Sequence, residues 1–181
     1  TSAIADLRAV LRDQPNAAPL MRALAAAYLA SRDVGLAEET LRTAMRANPS
    51  DVQTRLALAD LLMKSGRGDE AQPVAGQLVS DQPGDLQALE AAFRIQVARR
   101  EFTAARQTAE TIRSLRPDLP AGDFLGGLVD EAEGNLESAR IAFERAIRQA
   151  PGYVEPLGAA VRVDLAQHQE AHHHLGLGAA E

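Results

Sequence analysis

Apolar residues return along this chain at the spacing of a helix face, and the same face returns every 34 residues. The clearest sign is one alanine that keeps its register five times: Ala3, Ala37, Ala71, Ala105 and Ala139. Each of them is followed four and seven residues later by another apolar residue, as at Leu41 and Ala44. Residues at i, i+4 and i+7 share one side of an α-helix. The pattern therefore predicts one amphipathic helix in every period.

A second apolar face, carrying Leu24 and Leu58, precedes that helix in each period. We call the first helix of a period A and the second B. The pattern predicts A helices near 18–31, 52–65, 86–99, 120–133 and 154–167, and B helices near 2–14, 36–48, 70–82, 104–116 and 138–150.

Prolines separate the periods, because proline lacks the N–H group and cannot continue a helix. They are Pro15, Pro49, Pro83, Pro117 and Pro151. Pro73 lies early in a B helix, and we expect it to delay or bend the start of that helix.

A hairpin of two short helices buries both faces only when it stacks on its neighbours. We therefore predict one all-α array over residues 1–167. Its parts are the half repeat 1–17, the repeats 18–51, 52–85, 86–119 and 120–153, and the partial repeat 154–167. The chain begins inside a repeat, so we interpret it as a fragment. We also expect Ala3, Leu7 and Val10 to lack the cover of a preceding A helix.

The register resembles that of the tetratricopeptide repeat (TPR) family, whose unit is a 34-residue helix-turn-helix. The five alanines, the five prolines, Tyr28, Gly127 and Phe143 match the family pattern, as do Leu24 and Leu58. The family's tryptophan is replaced in each repeat, and the replacements are Met21, Arg55, Leu89, Asp123 and Leu157. Phe93 occupies a position that is usually small. The resemblance implies a right-handed superhelical solenoid.

The resemblance also implies a concave groove lined by the A helices. The residues it places there are Arg22, Leu29, Gln53, Leu56, Asp60, Lys64, Gln87, Glu90, Arg94, Phe124, Glu131 and Arg162. Charges of both signs and apolar side chains alternate among them. Such a lining suits a protein or peptide segment with mixed contacts.

Composition narrows the chemistry. The chain has no cysteine, which excludes disulfides and thiolate metal sites. Its net charge of −6 disfavours nucleic acid as a partner. No apolar run reaches the ~18–20 residues of a membrane span. We find no catalytic motif, and we predict no catalytic residue, cofactor or metal site.

Four histidines lie near the C-terminal end, in the segment 168–181. His168 and His172 are four residues apart, a spacing that could place both on one metal ion. A disordered or vector-derived tail explains the cluster more simply, and that is our interpretation.

These observations favour a non-enzymatic scaffold that binds a protein or peptide segment. An Ala- and Arg-rich, Lys-poor composition is typical of a high-GC bacterium, and the family resemblance points to envelope or polysaccharide-secretion assembly. The compartment, periplasm or cytoplasm, stays open. We also expect association of copies through the uncapped ends of the array. The alternative is a regulatory or targeting module of a larger enzyme, which a catalytic domain in the full-length sequence would reveal.

Overall fold

The computed structural model describes residues 2–177, with side chains from 3 to 169. Within those residues the chain is entirely helical, without strands. The ten helices are α1 (Ser2–Asp13), α2 (Ala18–Ala30), α3 (Val34–Ala47), α4 (Val52–Lys64), α5 (Gly68–Asp81), α6 (Leu86–Ala98), α7 (Phe102–Leu115), α8 (Ala121–Glu133), α9 (Leu136–Gln149) and α10 (Val154–Leu177). The predicted alternation of A and B helices is confirmed.

The B helices α3, α5, α7 and α9 each begin two residues earlier than predicted and end one residue earlier. Asp33 shows why for α3, because its side chain accepts a hydrogen bond from the Leu36 N–H at 3.2 Å and caps the helix. The links between the A and B helices of a repeat are therefore short. Gly35 and Gly68 lie in the first turn of a helix, where backbone N–H groups have no helical partner in any case.

Two further predictions about helix bounds were wrong. Pro73 does not delay α5, which passes through it and begins at Gly68. Helix α10 continues to Leu177, ten residues past the predicted end at 167, because no proline or glycine interrupts residues 159–175. The segment 168–177 therefore continues α10, and our interpretation of 168–181 as a disordered or vector-derived tail stays a prediction. The side chains of His172, His173 and His174 and residues 178–181 lie outside the described residues, so a metal-binding histidine pair stays a prediction.

The chain forms two compact units, Thr1–Ile95 and Gln96–Glu181. In the first unit α2 packs against α1 and α3, and α4 packs against α3 and α5. Its core joins the A-helix residues Leu24, Leu58 and Leu62 to the repeating alanines Ala37 and Ala71. Both alanines have no exposed surface. The helices therefore approach closely at the position where the sequence keeps alanine.

In the second unit α8 packs between α7 and α9, and α9 packs against α10. Ala105 and Ala139 repeat the unexposed alanine of the first unit, and Phe143 fills the space beside Ala139. Gly127 permits this arrangement. A Cβ atom built on Gly127 would lie 2.5 Å from Cε1 of Phe143. At the neighbouring Gly126, by contrast, a Cβ would come no closer than 4.0 Å to another residue, Arg113.

A buried carboxylate stands where the TPR pattern has tryptophan. Asp123 is 6% exposed. Its oxygens accept hydrogen bonds from Arg145 Nε and Gln149 Nε2, each at 3.2 Å, and Arg113 Nη1 lies 3.9 Å away. A buried charge is tolerated when it is paired and hydrogen-bonded. Asp123 thus connects α8 to α7 and α9 with polar bonds instead of an aromatic ring.

Four charged residues connect the first two complete hairpins on their B-helix side. Glu38 accepts from Arg42 Nε at 2.8 Å and from Arg67 Nη1 at 2.6 Å, and Arg67 also pairs with Glu70. The hydrogen bond from Arg67, reinforced by Arg42, lowers the pKa of Glu38 below its ordinary value. The carboxylate is therefore held ionised as the pH falls.

We expect Gly127→Ala to reduce the free energy of unfolding by about 1–2 kcal/mol. Overpacking against Phe143 costs about 1–3 kcal/mol, and alanine returns up to about 1 kcal/mol of helix propensity. Urea denaturation measures the difference. Gly76→Ala is the matched control, since a Cβ there meets no atom within 4 Å, and it should stabilise the protein. Equal stabilisation by both changes would contradict the packing role of Gly127.

We expect Glu38→Gln to lower stability at pH 7 by up to about 1 kcal/mol, the range of a partly exposed ion pair. Because the pKa of Glu38 is lowered in the folded state, its contribution is present above the unfolded value and disappears as pH falls through the folded value. Urea denaturation at pH 7 and pH 3 should therefore show a larger difference at pH 7 than at pH 3. Glu39→Gln is the control, because Glu39 has no ion pair among the described residues, and it should show no such pH dependence.

Candidate functional site

The A helices of the first unit surround an open hollow of about 370 Å³. Its lining comes from α2, α4 and α6. The residues are Arg22, Gln53, Leu56, Ala57, Asp60, Gln87, Glu90 and Arg94. All of them except Ala57 belong to the set that the TPR resemblance assigned to the groove. We call this hollow the polar groove.

Two glutamines one repeat apart form the first contact across the polar groove. Gln53 Nε2 donates to Gln87 Oε1 at 2.7 Å. The residues are 34 positions apart, so they occupy the same place on α4 and α6. The bond leaves the carbonyl oxygen of Gln53 as an acceptor and the NH₂ group of Gln87 as a donor for a partner.

A second contact repeats the same interval. Arg94 Nη2 donates to Asp60 Oδ1 at 2.8 Å, and the arginine and aspartate side chains are 59% and 41% exposed. Arg94 is therefore neutralised by an aspartate from the preceding A helix. An ion pair this exposed is worth ~0–1 kcal/mol, so a partner can compete for either member.

Arg22 is also engaged within the protein. Its guanidinium pairs with Asp51, and its Nη1 lies 3.3 Å from Thr54 Oγ1. Asp51 meanwhile caps α4 by accepting from the Thr54 N–H at 3.2 Å. The sequence analysis did not assign Asp51 to the groove. The position of Asp51 could have indicated its place at the end of α4, since an aspartate directly before a helix is a favoured N-cap. Asp85 caps α6 in the same way.

Two other predicted groove residues of the first unit lie outside the polar groove. Lys64 lies on the rim of an adjoining pit that also includes Asp60 and Arg94. Leu29 is 42% exposed on α2 and lines neither hollow.

The remaining three predicted residues belong to the second unit. Arg162 makes a two-pronged ion pair with Glu131, at 3.1 and 3.0 Å. Phe124 packs its ring against Phe143 and Tyr153, with ring centroids 5.9 and 5.5 Å away. Phe124 is therefore engaged in packing the hairpin, and a partner would reach only part of its ring.

A larger and more apolar hollow of about 530 Å³ lies on the B-helix side of the first unit. The sequence analysis did not predict it. It is lined by Met45, Arg46, Pro49, Arg55, Pro73, Val74 and Gln77. Arg55 is held there by Asp81 at 2.5 Å. Arg46 donates to the neighbouring Thr43 hydroxyl at 3.0 Å and has no ion pair with any residue that the structure describes. This side is the natural comparison surface for any test of the polar groove.

Within the described residues, no group of three or more histidine, cysteine, aspartate or glutamate side chains is arranged to hold a metal ion. None of the helices described is both long enough and apolar enough to cross a membrane.

Solved structures share the fold at low sequence identity. A tetratricopeptide repeat protein from Parabacteroides merdae matches with a TM-score of 0.81 and 16% identity, over 94% of this chain and 68% of its own. YrrB, described as a TPR protein with an unusual peptide-binding site, matches with a TM-score of 0.68 and 18% identity, over 86% and 80%. The human IFIT1 dimer with m7Gppp-AAAA matches with a TM-score of 0.66 and 16% identity, over 98% and 46%.

A comparison with curated proteins found no match. Two sequence models described as tetratricopeptide repeat do match. One covers residues 29–93, and the other covers residues 1–52 and 90–154. The second alone spans more than half of the chain, and its register agrees with the alternating helices and the unexposed alanines. The chain therefore belongs to the tetratricopeptide repeat family.

Proposed function

We propose that this protein is a non-enzymatic scaffold that binds a protein or peptide segment in the polar groove of its first unit. One observation carries the proposal. Seven residues assigned to a binding groove from the repeat register converge on one hollow, and several of them offer exposed hydrogen-bonding groups. Proteins with this repeat fold are generally non-catalytic scaffolds, which supports the same conclusion.

YrrB, which is described as having an unusual peptide-binding site, gives the proposal a precedent on the same fold. IFIT1 with m7Gppp-AAAA gives a precedent for a nucleotide ligand. We favour a peptide here because of charge. The chain carries −6 overall, and the arginines of the polar groove are already paired with Asp51 and Asp60. Phosphate groups bind where free cations are concentrated.

We further propose a bacterial setting, on the basis of the Arg-rich, Lys-poor composition, and a role in envelope or polysaccharide-secretion assembly, on the basis of the family resemblance. A regulatory or targeting module of a larger enzyme is the alternative. Catalytic activity that depends on these repeats in the full-length gene product would favour that alternative.

We expect Arg94→Glu to weaken peptide binding about tenfold or more, a change of about 1.4 kcal/mol. The substitution removes the cation that holds Asp60 in place, and the new carboxylate repels Asp60 and Glu90. The side chains that line the groove therefore lose the arrangement that the peptide contacts, and we expect this loss to outweigh the attraction of an added carboxylate for a basic group of the peptide. The probe is a peptide selected from a random display library on the wild-type protein, with its dissociation constant measured by fluorescence anisotropy. Thermal stability should change by less than about 1 kcal/mol, since the lost ion pair is exposed.

Arg46→Glu is the matched control, because Arg46 lies on the B-helix side of the same unit and has no ion pair among the described residues. It should leave binding of the selected peptide unchanged. If Arg46→Glu weakens binding and Arg94→Glu does not, the ligand occupies the apolar hollow on the B-helix side and the polar-groove proposal is wrong.

We also propose that copies of the chain associate through two exposed helix faces. On α10 an apolar stripe is 51–70% exposed, and it consists of Val154, Leu157, Val161 and Leu165. Leu157 and Val161 correspond by register to Asp123 and Gly127 of α8, which contact the B helix α9. The stripe thus has the position of an A-helix face that packs on a B helix.

The complementary face lies on α1. Ala3 and Val10 are exposed there and Leu7 is half-buried, whereas the equivalent residues of the other B helices are buried. Copy-to-copy packing of α1 on α10 would complete one hairpin. The proposal therefore commits to a second copy of this chain as the occupant of both faces.

We expect the wild-type weight-average mass to rise with concentration in sedimentation equilibrium, and Val161→Glu to abolish the rise by placing a charge in the stripe. Ile141→Glu is the control, since Ile141 is also exposed, at 41%, but belongs to α9 and to neither proposed face. A wild-type monomer at all concentrations, or an equal loss with Ile141→Glu, would overturn the proposal.

A further inference from the structure

An apolar pit of about 130 Å³ adjoins the polar groove between α4 and α6. Ala59, Ala91 and Ile95 are buried and form its floor, and Met63 forms part of its wall. An apolar cavity of roughly 150 Å³ holds a molecule of the size of benzene. The pit is therefore large enough for one branched aliphatic side chain. Two alanines that face each other across neighbouring A helices create the space.

The ion pair between Asp60 and Arg94 separates the pit from the polar groove, because both residues line both hollows. Their 2.8 Å bond fixes a polar ridge with an apolar floor on one side and the Gln53–Gln87 amides on the other. A ligand that fills both hollows must cross this ridge. It therefore needs an apolar group on the side of the pit and a polar group on the side of the polar groove.

Glu90 decides which polar group fits. Asp51 and Asp60 are paired with Arg22 and Arg94, whereas Glu90 has no ion pair among the described residues. The polar groove with its immediate partners thus holds three carboxylates and two arginines. The remaining cation of this surface, Lys64, lies on the rim of the adjoining pit and not in the polar groove. Glu90 therefore offers its carboxylate to a cation of the ligand.

The spacing of the two hollows matches an extended chain. On α4 and α6 the residues that line the pit lie on average three to five positions beyond those that line the polar groove. At about 1.5 Å of rise per residue this is on the order of 6 Å along the helix axes. Alternate side chains on one face of a strand are about 6.6–6.8 Å apart. One extended segment can therefore reach Glu90 and the pit with residues two apart.

We infer that the first unit selects an extended segment in which an arginine or lysine lies two residues from a leucine, isoleucine or methionine. The basic side chain pairs with Glu90, the aliphatic side chain enters the pit, and the backbone between them meets the two glutamines. This inference rests on the proposed binding of a peptide in the polar groove and specifies the chemistry of that peptide.

The chain offers a built-in reporter, because Lys64 on the rim of the pit is its only lysine. Reductive ¹³C-methylation keeps its charge and gives one side-chain NMR signal beside the pit. The probes are three synthetic peptides with a Gly/Ser background that carry Arg-Thr-Leu, Glu-Thr-Leu or Arg-Thr-Ser. We expect Arg-Thr-Leu to shift the Lys64 signal and to bind at least fivefold more tightly than either of the other two.

Charge reversal tests Glu90 directly. In Glu90→Lys the order of Arg-Thr-Leu and Glu-Thr-Leu should reverse, an outcome that a merely structural role would not produce. The dimethylated Lys64 signal is followed again, and the new lysine is assigned by comparison with the wild-type spectrum. If Glu-Thr-Leu binds as tightly as Arg-Thr-Leu to the wild type and the order does not change in the variant, the role of Glu90 is refuted.

Met63→Glu tests the pit, with Met63→Leu as the conservative control. Met63→Glu should reduce the advantage of Arg-Thr-Leu over Arg-Thr-Ser to less than twofold, and Met63→Leu should retain it. Circular dichroism checks that both variants are folded. An undiminished advantage in folded Met63→Glu would overturn the role of the pit.

Failure of this inference differs from failure of the proposed function. If library-selected peptides lose affinity with Arg94→Glu but ignore Glu90→Lys and Met63→Glu, the groove binds peptides of another chemistry and only the inference is wrong. If selected peptides are also indifferent to Arg94→Glu, the groove does not bind peptides and both are wrong.

Discussion

The close approach of helices at one repeated alanine is the constraint on which each unit depends. Ala37, Ala71, Ala105 and Ala139 have no exposed surface, so a larger side chain at any of these positions would separate two helices. Protein interiors pack like crystals and accommodate extra volume poorly. In the first unit, separation at Ala37 or Ala71 would also displace the A helices that line the polar groove and the pit. The geometry of the candidate site thus depends on alanines of B helices that do not line it.

Because this constraint repeats, most of the fold was predictable from the sequence. The register located all ten helices, and the predicted B-helix face is buried in α3, α5, α7 and α9. Helix ends were less predictable, since they depend on local competition. Asp33 caps α3 and lets the helix begin before Gly35. Pro73 is accommodated inside α5. The far end of α10 lies beyond the repeat pattern. Residues 159–175 contain no proline or glycine that would signal a helix end.

The register indicates which backbone positions share a face of the A helices. Seven of the twelve predicted residues line one hollow, and their role in binding stays a prediction. The register does not fix where a long side chain reaches. Arg22 turns to Asp51 and Arg94 turns to Asp60, because a guanidinium near a carboxylate gains a charge-assisted bond. The pit was missed for a related reason, since it is made by the smallness of Ala59 and Ala91. Two small residues on separate helices form no recognisable motif in a single sequence.

These ion pairs change what a partner experiences. Exposed pairs contribute little to stability, but they hold the arginines in defined positions and cancel their charges before a ligand arrives. A ligand carboxylate gains little from Arg94 unless it displaces Asp60, which would leave that carboxylate without its cation. General attraction for acidic segments is therefore weak in the first unit, and discrimination falls to the groups that remain unsatisfied. In the proposed complex, and among the described residues, those are the carboxylate of Glu90, the amide groups that the bond between Gln53 and Gln87 leaves over, and the apolar floor of the pit. A groove whose strongest charges are internally paired selects its partner by arrangement more than by net charge.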